Sequence, residues 1–217
     1  MIPEPAIRAR SLALVERQTT PATVPLVPEI VLLQSGELDA LWQATGREDP
    51  PYWAFPWAGG QALARHILDH PEIVRERWVV DFASGSGLVA IAAVRAGAAG
   101  VLALDRDPFC EAAVAQNAAL NGVSVPFRAG DAVGANLPRC DVLLAGDVFY
   151  ERGLAESALA FFRSLRAGGV RVLAGDGGRA YAPRNRFEVL GWYDVPTSEI
   201  IEDACLRRAR VLEIVCQ

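Results

Sequence analysis

Five aspartates stand where apolar runs give way to small or polar residues: Asp81, Asp105, Asp131, Asp147 and Asp176. The first belongs to residues 78–91, WVVDFASGSGLVAI. The apolar opening reads as a buried strand, residues 83–87 as a loop of small residues, and residues 88–93 as the start of an apolar helix. Strand, glycine loop and helix N-terminus together make a nucleotide-binding turn. Gly85 and Gly87 let the backbone approach a ligand closely, and the helix start offers unpaired N–H groups. The spacing Gly85-x-Gly87-x-x-Ala90, with Asp105 about 20 residues further on, also fits the dinucleotide fingerprint. Charge separates the two readings: five carboxylates around one crevice suit a cationic ligand and repel a pyrophosphate.

For the acids to meet, the intervening elements must alternate. Residues 101–105 read as a second strand, and Pro108 opens a helix through Ala119, closed by Asn121-Gly122. Residues 125–128 form a weak third strand leading to Asp131, and residues 140–147 a fourth. A helix over 154–165 ends at Gly168-Gly169, and residues 170–174 form a fifth strand that runs into Gly175-Asp176-Gly177-Gly178-Arg179. Residues 185–190 read as a helix, and 192–196 and 208–215 as a last pair of strands, one of them antiparallel. The expected fold is α/β, a doubly wound, mostly parallel seven-stranded sheet with helices on both faces. Ligands bind outside the carboxyl ends of such strands, which puts the five aspartates in one place. Upstream, residues 6–18 suit an amphipathic helix, and Pro21, Pro25 and Pro28 an extended linker. Residues 29–34 suit a short strand and 37–44 a short helix. Residues 1–50 are read as an N-terminal cap and 51–217 as the main domain.

Residues 50–60, PPYWAFPWAGG, hold four large rings. They fit a core plug beneath the sheet, and equally a pocket wall whose ring faces attract a cationic group. Gln61 opens a helix with Leu63, Ile67 and Leu68 inward. His66 and His70 have chelating spacing but no third ligand, so a solvated helix end is expected and no metal site. The 52% hydrophobic content suffices for a sizeable core, and a net charge of −5 disfavours nucleic acid. No apolar run is long enough for a membrane span. Scattered Cys110, Cys140, Cys205 and Cys216 suggest reduced thiols and a cytoplasmic location.

S-adenosylmethionine is cationic and NAD anionic, and the acid-lined turn favours the first. The chain resembles class I, seven-stranded S-adenosylmethionine-dependent methyltransferases, with their Rossmann-like fold. More narrowly it is similar to the protein-lysine methyltransferases marked by Asp-x-x-Tyr, here Asp147-Val148-Phe149-Tyr150. The likeness is greatest to the electron transfer flavoprotein beta-subunit lysine methyltransferase family. It is carried by Trp57-Ala58-Gly59-Gly60-Gln61, Gly146-Asp147-Val148-Phe149-Tyr150 and Gly175-Asp176-Gly177-Gly178-Arg179. Two departures stand out: Ala83 replaces the first loop glycine, which a negative φ would accommodate, and Gly177 replaces a proline.

The resemblance implies site roles. Asp81 would hold the cofactor ammonium; Ala83, Ser84, Gly85 and Gly87 would pass under the cofactor; Asp105, with Arg106 beside it, would accept the ribose hydroxyls. Asp131 would take the adenine amine with Ala132 N–H nearby, and Trp57 and Gly60 would edge the pocket. Asp147 and Tyr150 would face the incoming lysine of the electron transfer flavoprotein beta subunit, Asp147 also bordering the cofactor. Another protein such as a ribosomal protein, or a small amine, is an alternative acceptor. A nicotinamide oxidoreductase, with Arg106 taking a 2′-phosphate, or a non-catalytic binding module, remains a further reading.

Overall fold

In the computed structural model, residues 4–131, 133–134, 137, 139–202 and 204–215 are described. Ala132 and Cys216, singled out from the sequence, lie outside the described residues. The sheet is built from β3 (Trp78–Phe82), β4 (Gly100–Asp105), β5 (Phe127–Ala129), β6 (Val142–Gly146), β7 (Arg171–Asp176), β8 (Phe187–Pro196) and β9 (Leu206–Ile214). Their order is β5-β4-β3-β6-β7-β9-β8. All neighbours are parallel except β9, which runs antiparallel to both β7 and β8. The chain moves outward from β3 through β4 to β5, then returns to β6 on the other side of β3. That reversal opens a crevice at the carboxyl end of β3, where such sheets bind ligands.

Period-two alternation divides the core. Val79, Val101, Val142 and Leu173 face α3 (Ala58–Asp69), α4 (Leu88–Arg95) and α5 (Phe109–Leu120). Val80, Phe82, Leu143 and Val172 face α6 (Arg152–Ala167), whose Ala155, Ala158, Phe161 and Phe162 close the other side. Asp81 shares the α4 face with Val79, so its carboxylate meets the start of that helix rather than solvent.

The N-terminal segment differs from its sequence reading. α1 (Glu4–Gln18) is followed not by an extended linker but by a hairpin, β1 (Thr20–Val24) and β2 (Val27–Gln34), before α2 (Leu38–Thr45). The prolines are tolerated because this is a two-stranded ribbon and Pro25 falls in its turn. The β2 edge is covered by two asparagines, Asn117 of α5 and Asn121 at its C-cap: Asn121 exchanges hydrogen bonds with Val31, and Asn117 Oδ1 accepts from Leu33 N–H at 2.7 Å. Residues 185–190 are not a helix either. β8 begins at Phe187, because pairing with β9 over nine register positions outweighs the local pattern. The connection between β8 and β9 carries a short helix, α7 (Glu199–Glu202).

His66 is also corrected. It is buried against β8, with Nδ1 2.8 Å from the Tyr193 hydroxyl, while His70 alone is exposed. Burial, reinforced by His70, pushes the imidazole down from 6.5 to about 4. Its folded value lies below its unfolded one, so its stabilising contribution is complete above pH 6.5 and is lost as pH falls towards 4. Wild-type protein should therefore lose more stability than His66→Gln between those limits, read as urea midpoints across pH.

Candidate active site

The glycine loop joins β3 to α4 through three left-handed residues: Ala83 (φ 52°), Gly85 (φ 51°) and Gly87 (φ 80°). Gly87 needs its missing side chain, since a Cβ there would lie 3.1 Å from Val114 Cγ2. The negative φ expected of Ala83 is not found; the turn requires αL geometry, which glycine adopts without strain. Ala83→Gly should stabilise the fold by about 0.5–1 kcal/mol, αL relief of roughly 1–2 kcal/mol less the greater unfolded-chain entropy of glycine. A raised denaturant midpoint at unchanged m would register it. Asn117 braces the loop from α5, its Nδ2 donating to the Ser86 carbonyl at 2.8 Å.

A cavity of about 290 Å³ opens above this loop. Of the five aspartates, Asp81, Asp105, Asp131 and Asp147 line it. Asp176 does not: it is fully buried, accepts from the N–H groups of Gly178 and Arg179, and pairs with Arg210 Nε at 2.9 Å. It shapes the loop after β7 and takes no part in the lining. Asp81 accepts from Ala90 N–H at 3.0 Å, and burial pushes its carboxyl up to about 8. The free protein thus holds a proton there at neutral pH, and a cation would drive it off. Asp105, at the end of β4, accepts from Gly85 N–H and Asp107 N–H, both at 2.9 Å, and is also raised by burial. Asp131 is exposed at the rim and accepts from Val133 N–H. Arg106 is exposed and lies 3.7 Å from Asp49.

The aromatic segment divides between the core and the cavity wall. Trp53 and Phe55 are buried, Trp53 stacking on Phe109. Tyr52 and Trp57 sit edge to face at the cavity, and Tyr150 closes on Tyr52 with 5.2 Å between centroids. Trp53 Nε1 and Ser84 Oγ, both on the cavity wall, are buried without a hydrogen-bond partner among the described residues. Burial raises the Tyr150 phenol to about 12, so it stays protonated at physiological pH.

Asp147 is a non-glycine residue at φ 55°, directly after β6. Its carboxylate is held from three sides: Gly59 N–H and Gly177 N–H donate to it, the latter at 3.2 Å, and Arg179 Nε donates at 2.7 Å. A carboxylate offers about four acceptor positions, so one remains.

The Ribosomal protein L11 methyltransferase (PrmA) family model matches residues 63–146. The electron transfer flavoprotein beta subunit lysine methyltransferase of Rattus norvegicus is 42% identical over 131 residues, 59% of this chain and 51% of that protein. The protein of the same description from Danio rerio is 34% identical over 201 residues, 88% of this chain and 78% of that protein. The chain belongs to the electron transfer flavoprotein beta subunit lysine methyltransferase family. The match spans about half the length of the rat relative. Among solved structures, the ribosomal protein L11 methylase from Lactobacillus delbrueckii subsp. bulgaricus superposes with a TM-score of 0.50 at 22% identity, covering 73% of this chain and 79% of that one. That likeness supports the Rossmann-like methyltransferase fold.

Family membership gives the short motifs a physical reading. Trp-x-Gly-Gly-Gln exists because α3 starts directly on β6 and β7: a Cβ on Gly59 would lie 2.6 Å from the Gly175 carbonyl oxygen, and one on Gly146 would lie 2.9 Å from Gly60 Cα. Gly177 gives Asp147 an N–H that a proline at that position would lack. Arg179, at the end of its motif, is the residue sequence reasoning left without a task. The signal was an arginine following two glycines beside an acid-rich site. Asn117 was missed as well, although two asparagines at i, i+4 on an apolar helix were legible.

Proposed function

We propose that the protein is a protein-lysine N-methyltransferase that uses S-adenosylmethionine and acts on a lysine of the electron transfer flavoprotein beta subunit. One observation carries the reading: in a chain of this family, a single cavity joins the Asp105 and glycine-loop end to an aromatic mouth with Asp147 and Tyr150. The residues suit the cofactor. The unpartnered Trp53 Nε1 and Ser84 Oγ call for a polar ligand, and space is open where a Gly60 Cβ would stand. Asp105, Asp81 and Asp131 supply acceptors for hydroxyl, ammonium and amine groups. S-adenosylmethionine supplies an electrophilic methyl on a sulfonium.

The protein's own task is to present a neutral amine to that methyl. A lysine ammonium, with an ordinary pKa of about 10.4, must shed its proton. The remaining acceptor position of Asp147 attracts and orients it, and the rings of Tyr52 and Trp57 on the cavity wall exclude water. Tyr150, held protonated, serves as a hydrogen-bonding wall rather than a base, and the proton passes to solvent. The chain itself contains no lysine, so it cannot be its own side-chain acceptor. Free thiols at Cys110, Cys140 and Cys205, and the lack among the described residues of any helix long and apolar enough to cross a membrane, accompany the proposed cytoplasmic location. Residues 1–50 are taken as a cap on the methyltransferase domain of residues 51–217.

Asp105→Asn should weaken S-adenosylhomocysteine binding about ten- to a hundredfold, the loss of roughly 1.5–3 kcal/mol for a charge-assisted bond, with calorimetry as the measure. The function is tested by incubating the protein with isotopic S-adenosylmethionine, purified electron transfer flavoprotein and ribosomal protein L11, followed by peptide mass spectrometry. Methylated lysine in the beta subunit is the expected product. Label on L11 alone, the outcome favoured by the family model over residues 63–146, would replace the assigned acceptor.

A further inference from the structure

Asp147 is not held by its neighbours in sequence alone. Arg179, whose Nε donates to it, directs both terminal nitrogens the other way: Nη1 donates to Glu202 Oε2 at 2.9 Å and Nη2 to Glu202 Oε1 at 2.8 Å. Glu202 is 3% exposed, lies on α7 in the β8–β9 connection, and also accepts from Ala58 N–H at 3.1 Å, the residue where α3 begins. Arg207 closes the far side, with Nε 2.9 Å from Glu202 Oε2. The guanidinium lies 5.6 Å over the Trp57 ring. A buried alternation of charge thus runs from the C-terminal hairpin to the acceptor end of the cavity.

We infer that Glu202 is a positioning residue of the transfer site: by engaging both terminal nitrogens of Arg179, it keeps Arg179 from covering the last acceptor position of Asp147. The inference rests on the lysine-methyltransferase reading. Its physical basis is guanidinium geometry. A free fork seeks a bidentate carboxylate. With Glu202 present, that fork is satisfied away from the cavity and Asp147 receives the single Nε bond. Without it, Asp147 is the carboxylate that the Arg179 side chain already touches, and a bidentate pair there fills the place an acceptor ammonium needs. Burial alone would lower the guanidinium, but Asp147 and Glu202 outweigh it and hold Arg179 above its ordinary value, so it is a permanent competitor for that place.

The test compares wild type, Glu202→Gln, Arg179→Gln and the double variant, all saturated with S-adenosylhomocysteine. Binding of n-butylammonium, a lysine side-chain mimic, is followed through the Arg179 Nε–H resonance, or through backbone resonances near Asp147 where Arg179 is replaced. In turnover assays the acceptor KM and kcat are separated. Glu202→Gln should weaken butylammonium binding and raise the acceptor KM at least fivefold, with S-adenosylhomocysteine affinity and kcat within about twofold. In the Arg179→Gln background the Glu202 change should have no further effect, because the competitor is gone. If Glu202→Gln alone misfolds, the double variant is compared with Arg179→Gln, since in both Asp147 keeps only its Gly59 and Gly177 N–H donors, and a further loss of butylammonium binding in the double variant would overturn the inference. Unchanged KM and butylammonium affinity in Glu202→Gln would overturn the inference, as would KM, kcat and S-adenosylhomocysteine affinity declining together, or butylammonium failing to bind near Asp147 in wild type. Butylammonium binding that depends on Glu202, in a protein that labels no flavoprotein subunit, would support the positioning role and refute only the acceptor assignment.

Discussion

Asp147→Asn is expected to lower methyl transfer roughly 10²- to 10³-fold, the scale of loss when one preorganised electrostatic partner is removed. S-adenosylhomocysteine affinity should change far less. Asparagine keeps the shape but not the charge, and it cannot reproduce the bonding. Both carboxylate oxygens already accept from N–H donors, one from Gly59 and the other from Gly177 and Arg179. Either orientation of an amide turns its NH₂ towards a donor. Asp147→Ala is the harsher variant: Arg179 keeps Glu202, but the buried Gly59 and Gly177 N–H groups lose their acceptor, which should cost about 1–3 kcal/mol of stability as well. Rate assays beside calorimetry separate the two effects. Equal loss of turnover and cofactor affinity in the asparagine variant would move Asp147 out of the acceptor role.

That Asp147 is braced rather than free was not legible in its own segment. The acid at the end of β6 could be read from the strand pattern, as could the loop after β3 and the acid ending β4. Those features are local, fixed by strand period and glycine spacing. The brace comes from Arg179 and Glu202, 32 and 55 residues along the chain, and from the helix start at Gly59. Only the strand order and the return of β9 beside β7 bring them to one point. Asp176 fails the expectation for the same reason. It does end a strand on the binding edge, but Arg210 of the antiparallel β9 lies within 2.9 Å of it and draws the carboxylate into the interior. A rule about strand ends counts acids; it does not see which of them a neighbouring strand has already neutralised.

The N-terminal hairpin and β8 were misread for a related cause. Their residues carry weak or contrary local signals, prolines in one case and residues 185–190 in the other, and their conformation is set by partners. β2 is anchored through Asn117 of α5 and Asn121 at its C-cap, and β8 by its register on β9. The spacing of His66 and His70 suggests a solvated helix end, yet His66 lies one turn before that end and faces Tyr193 of β8.

Gly59→Ala and Gly60→Ala should behave as opposites although they are adjacent in one helix. A Cβ on Gly59 would lie 2.6 Å from the Gly175 carbonyl oxygen and 2.7 Å from Asp147 Oδ2, two groups with no room to retreat because β7 and the loop after β6 pin them. The substitution forces α3 away from the sheet and pushes on the Asp147 carboxylate. A loss of about 1–3 kcal/mol in stability is expected from such overpacking, together with a fall in turnover. At Gly60 the added methyl meets nothing within 4 Å and projects where the cavity lies. The free protein should gain about 0.5–1 kcal/mol from replacing a helical glycine, while S-adenosylhomocysteine binding weakens about ten- to a hundredfold through overfilling. Thermal melts with and without the ligand distinguish the pair, since only Gly60→Ala combines a raised melting point with a diminished ligand-induced rise. Were Gly60→Ala to bind the ligand as wild type does, the cavity edge at Gly60 would not be where the cofactor lies, and the placement of Asp105 and the glycine loop around it would have to be reconsidered.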